Sequence, residues 1–167
     1  VTAQANLQPD KRTEETVLFL CSVLGEPSVE KLMMVCFLAD WAFAVLEKMQ
    51  LTNSSWYHTQ AGATSDSVLA AIASSSFLSL KFNGTKSYLS LSINPKYESL
   101  TESQRLVLDS IAKQVGQRDD PSVNVMVSTS YPMIVTEVGD NINLERLAED
   151  FRNARNRTAH GIQEEPK

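Results

Sequence analysis

"KLMMVCFLADWAFAVL", residues 31–46, is the longest apolar stretch of the chain, and one carboxylate, Asp40, stands inside it. It can be read as a membrane span, as a buried helix carrying a functional acid, or as a buried helix whose acid is structural. A spanning helix needs about 18 or more apolar residues in succession. Here Lys31 opens the run, Asp40 interrupts it, and Glu47 and Lys48 close it, so the membrane reading fails. Leu32, Val35, Cys36, Ala39, Phe43 and Leu46 form one stripe at helical spacing. Met33, Phe37, Trp41 and Ala44 widen that stripe until little polar face remains, the pattern of a helix buried on most sides. The spacing predicts the central helix of a soluble core over residues 29–50.

The flanks supply its neighbours. "RTEETVLFLCSVLG" repeats Val17, Leu20, Cys21 and Leu24 at helical spacing, and Gly25 is a stop signal. Ser28 is a natural N-cap for the central helix. After it, "LTNSSWYHTQAG" is a connection with an extended aromatic piece, residues 56–60. A short helix capped by Ser65 is expected next, with Val68, Leu69 and Ile72 inside. "FLSLKFNGTKSYLSLSI" then reads as two alternating runs around Asn83-Gly84, a type I′ hairpin signal. It places Phe77, Leu78, Leu80 and Phe82 opposite Tyr88, Leu89, Leu91 and Ile93 in some register. Thr101 and Gln104 fit a capping box for a helix that buries Leu106, Leu108, Ile111 and Val115 and ends at Gly116. Ser122 is expected to cap the apolar piece "VNVMVSTSYPMI", whose helix Pro132 limits. Asn143 caps the last helix, which buries Leu144, Leu147 and Phe151.

Length and composition agree with this division. A chain of 167 residues suits one domain with a sizeable core. With 43% hydrophobic and 21% charged residues it is globular in kind. The fold expected is α+β: one mostly helical domain over residues 11–156 with a single β-hairpin, between a flexible leader, 1–10, and a tail, 157–167. The net charge of -5 gives no general attraction to nucleic acid or anionic lipid. The polar start "VTAQANLQPDKR" lacks a signal-peptide core, and without an initiator Met the chain reads as processed, trimmed or cut from something larger. Sequons at Asn53, Asn83 and Asn156 are discounted in that setting. The compartment expected is cytoplasmic, which also favours Cys21 and Cys36 as reduced core thiols over a disulfide.

The order of these segments resembles the Panacea family, the SocA-like antitoxin domain. The resemblance rests on "KLMMVCFLADWAFAVLEK", "WYHTQAG", "SLTESQRLVLDSIAKQVG" and "STSYPMI", spread over roughly residues 14–155. Two departures mark a divergent member. The family's Gly-Pro is Gly62-Ala63 here, and Phe37 replaces the tyrosine that usually follows the opening leucines. The resemblance implies a non-enzymatic module that neutralises a partner toxin by binding. Phage-related relatives and protease adaptors occur in the family.

No motif points to catalysis. His58 and His160 are far apart, and no zinc, P-loop, dinucleotide or nucleophile-elbow pattern occurs. No catalytic, cofactor or metal residue is therefore assigned. Asp40 is read as a structural hydrogen bond or solvated edge of its helix, ahead of a raised-pKa acid or a partner for Arg105 or Arg146. The basic "RNARNR", residues 152–157, suits a helix C-terminus. Trp56, Tyr57, His58 and Tyr131 are the candidate contacts with a protein partner. Trp and Tyr anchor interfaces, although Trp56 reads first as a core seal, and alternation then turns Tyr57 outward. Helix, short helix and hairpin also outline a winged-helix regulator, but "SDSVLAAIASSS" carries no Lys or Arg to read DNA. A third alternative is an accessory subunit of a phage or defence assembly. The partner expected is a protein, a cognate toxin or an assembly component, with neither nucleic acid nor membrane.

Overall fold

Helix α2, Val29–Glu47, is the axis around which the other elements pack. The structure, a computed structural model, describes residues 10–161. Helix α1, Lys11–Leu24, begins at Asp10, whose carboxylate accepts from the backbone N–H groups of Arg12 and Thr13, and turns off at Gly25. Ser28 caps α2 by accepting from the N–H of Lys31 at 3.0 Å. Leu32, Val35, Cys36, Phe37, Ala39 and Ala44 are buried, as the apolar run demands. At the far end Arg152 donates to the carbonyls of Ala44 and Val45, at 2.6 and 3.1 Å. These are acceptors the helix cannot satisfy itself, at the negative end of its dipole.

Strands β1, Trp56–Thr59, and β2, Gly62–Thr64, follow, then helix α3, Asp66–Ser74, and the hairpin of β3, Leu78–Asn83, with β4, Lys86–Leu91. Helices α4, Glu102–Gly116, α5, Asp120–Ser128, and α6, Tyr131–Val135, lead to β5, Asn141–Ile142, and to α7, Leu144–Gly161. The fold is α+β and mostly helical, as expected. Helices α1, α4, α5 and α7 pack against α2. The strands form two small antiparallel sheets, β2-β1-β5 and β3-β4. The capping box at Thr101 and Gln104 is made in full. Asn143 caps α7 through the N–H of Arg146. Cys21 and Cys36 are free and buried, and burial pushes both thiols up, Cys21 to about 11. Among the described residues no helix is long and apolar enough to cross a membrane.

Several expectations are corrected. Helix α2 ends at Glu47, with Lys48 left-handed at φ 63°, because the chain must reverse there to bring Gln50 and Thr52 back to Asp40. The hairpin turns on Gly84-Thr85, since Asn83 pairs with Lys86. Gly84 has φ 62° while Thr85 stays negative, the pattern of a type II′ turn. This register sets Leu78 opposite Leu91 and Leu80 opposite Leu89. A turn centred on Asn83-Gly84 would have faced Leu80 with Ser87. Ile93 lies beyond the strand, and Tyr88 falls on the other face, opposite Lys81. Leu69 is exposed, and Ala71 takes the buried place beside Val68. Leu106 is exposed too. Asp119, not Ser122, caps α5, accepting from the N–H of Ser122 at 3.0 Å. Helix α7 continues to Gly161, past the limit expected near Asn156. The leader expected over residues 1–10 and the tail beyond Gly161 lie outside the described residues, apart from Asp10.

Candidate functional site

Asp40 is buried, and every contact of its carboxylate is with a donor. Its Oδ1 accepts from the backbone N–H of Thr52 at 2.9 Å. Its Oδ2 accepts from the Thr52 hydroxyl at 2.5 Å, from the indole Nε1–H of Trp56 at 2.8 Å and from Nε2 of Gln50 at 3.3 Å. Backbone N–H, indole and amide Nε2 groups are donors only, so the arrangement is complementary to an acceptor. Burial pushes the carboxyl up to about 6, and the donors from Thr52, Trp56 and Gln50 pull the other way. The acid is structural: it fastens the connection after α2 to the middle of that helix. Neither Arg105 nor Arg146 reaches it. The fastening ends at Trp56, the first residue of β1, whose ring also meets Phe37 edge-on at 5.2 Å between centroids.

From that anchor β1 and β2 form one wall of an open cleft of about 620 Å³. Val29, Met33 and Met34 of α2 line it, with Ala63 of β2, Leu69 of α3 and Pro121 of α5. Glu30, Asp120 and Asn124 add polar groups. Asp120 also accepts from the Ser28 hydroxyl at 2.8 Å, which joins the starts of α2 and α5. The turn into β2 uses Gly62 at φ 115°, a conformation a Cβ would strain. Methionine side chains adapt to varied apolar shapes. An open, Met-lined cleft with two carboxylates beside it is suited to an apolar side chain flanked by a cation.

The four candidate contacts separate. Trp56 is fully buried and cannot meet a partner; its indole serves Asp40. Tyr57 points outward, 39% exposed, and sits across the strands from Thr64, a cleft residue. His58 is half-buried and its Nδ1–H donates to the Thr136 carbonyl at 2.7 Å, while its backbone carbonyl accepts from Gly139 at 2.7 Å. It therefore ties down the loop before β5. Tyr131 is half-buried in an aromatic cluster, 6.3 Å from Trp41 and 5.4 Å from Phe151 between centroids. His58 and Tyr131 keep part of their surface open while Nδ1 of the one and the ring of the other are engaged internally. In the sequence Met33 and Leu69 read as core residues and Met34 carries no assignment; in the structure Met33 is buried, Leu69 is exposed, and all three line the cleft. Among the described residues no three His, Cys, Asp or Glu side chains cluster in a way that could hold a metal ion.

No family model matches the chain, and neither a curated protein nor a solved structure is detectably similar to it.

Proposed function

We propose that this chain is a cytoplasmic protein-binding module of antitoxin type, which neutralises its partner by occupying it. The observation that carries the reading is the open cleft of Met33, Met34, Val29, Ala63 and Leu69, with the outward Tyr57 beside it. Apolar clefts with a few polar groups are the usual seats of ligands and partner side chains. The antitoxin character is drawn from the Panacea-like order of segments. The partner is a protein that inserts an apolar side chain, with a Lys or Arg next to it for Glu30 and Asp120. A toxin encoded by a neighbouring gene, or a component of a phage or defence assembly, is the source we favour.

Co-expression with the neighbouring gene product, followed by co-purification, tests the proposal. Capture that is lost in Leu69→Glu and Met34→Glu, with the fold retained by circular dichroism, supports it. Failure to bind the neighbour or relieve its toxicity refutes it. The regulator alternative has less support: α3 carries no Lys or Arg, and Lys81 of the hairpin is paired with Glu26 at 2.8 Å. A sequence-selective gel shift with steep salt dependence would reverse that preference.

A further inference from the structure

Strand β3 stands on the outer side of its hairpin. Contacts with α1 and α2 come from β4, whose Leu89 N–H donates to the Pro27 carbonyl at 2.8 Å. Among the described strands β3 pairs with β4 alone, and from Ser79 to Asn83 it is exposed throughout. Leu80 is 50% and Phe82 73% exposed, on the same face as Leu78.

In an antiparallel ladder successive residues turn their backbone groups alternately toward and away from the neighbouring strand. The Ser92 N–H donates to the Phe77 carbonyl at 2.8 Å, so the odd-numbered residues of β3 face β4. Leu80 and Phe82 therefore turn their N–H and C=O groups outward, as does Leu78, whose N–H already donates to the Ser75 carbonyl at 3.4 Å. That row of donors and acceptors is matched by another strand, and unprotected edges of this kind recruit one.

We propose that β3 pairs antiparallel with β3 of a second copy, about a two-fold axis through Leu80. The two hairpins then fuse into one four-stranded sheet. In this register Leu80 meets its own copy and Leu78 meets Phe82, so the exposed apolar row is self-complementary. Lys81 falls opposite Ser79, and each Lys81 keeps its ion pair with Glu26. An axis through Lys81 would set two ammonium groups face to face, which is unfavourable. The hairpin tips point in opposite directions, so the two Lys86 charges are far apart. A two-stranded sheet is marginal by itself, whereas one of three or more strands with an apolar face supports itself.

Sedimentation equilibrium of the full chain is the test. The expected mass is twice the 18.5 kDa of one chain. Leu80→Pro removes only an outward N–H, which an edge strand tolerates, and is expected to give a monomer with unchanged circular dichroism. Phe82→Lys alters an exposed side chain and should weaken association at least about tenfold. Leu80→Cys should form a covalent dimer on oxidation, and Ser87→Cys on β4 should not. A wild-type chain that stays monomeric to about 0.1 mM overturns the proposal. So does a dimer that survives both Leu80→Pro and Phe82→Lys, or one in which the Leu80→Cys variant fails to cross-link.

Discussion

Asp40→Asn should change not only how stable the protein is but how its stability depends on pH. In the folded chain the Asp40 carboxyl titrates at about 6, against an ordinary 3.8. A group raised on folding contributes stability that is fully present below its unfolded pKa and is lost as pH rises through the folded one. That difference corresponds to about 3 kcal/mol. Most of it is lost between about pH 4 and pH 7. Asparagine keeps an oxygen for the Thr52 N–H but sets an NH2 group among the three donors that now meet Oδ2. The Trp56 N–H then lacks an acceptor, a penalty of about 1–3 kcal/mol at any pH. The variant's deficit should therefore be greatest near about pH 4 and smaller by roughly 2–3 kcal/mol near pH 8. Urea unfolding of both proteins across that range, followed by tryptophan fluorescence, measures the difference. Parallel stability curves would refute the reasoning, and so would a deficit that grows with pH.

Trp56→Phe keeps the edge-on packing with Phe37 but loses the bond to Asp40, and should destabilise by about 1–3 kcal/mol in urea titration. Arg152→Ala uncovers the terminal carbonyls of α2 and should cost about 1–3 kcal/mol, with Arg152→Lys restoring only part. Cys21 and Cys36 should resist thiol reagents in the native protein and react fully in denaturant, because burial holds both as thiols. Rapid native labelling would show that the core around α1 and α2 opens readily.

The helices were legible because their signals are local. Ser28, Asn143 and the pair Thr101 and Gln104 cap the helices they precede, and the run after Ser28 could be buried only as a helix. The inward and outward alternation of Trp56 and Tyr57 could be read in the same way. What stayed hidden depends on distant partners. Strand β5 has two residues and exists because β1 offers it an edge, as Trp56 paired with Ile142 shows. Asp40 reads as an interruption until Gln50, Thr52 and Trp56 return to it across a loop. His58 finds its acceptor at Thr136 and Tyr131 its ring neighbours on α2 and α7, contacts that no local pattern announces. Leu69 shows the converse. Its spacing is that of a buried residue, and only the arrangement of α2, β2 and α5 leaves it lining an open cleft.

The bond from Arg152 to the end of α2 spans 108 positions of the chain. The central helix is therefore synthesised long before the residue that closes it. During translation its last carbonyls stay bare until α7 has emerged and docked. A nascent chain interrupted anywhere before Arg152 cannot satisfy them in this way, however well its first two helices have formed.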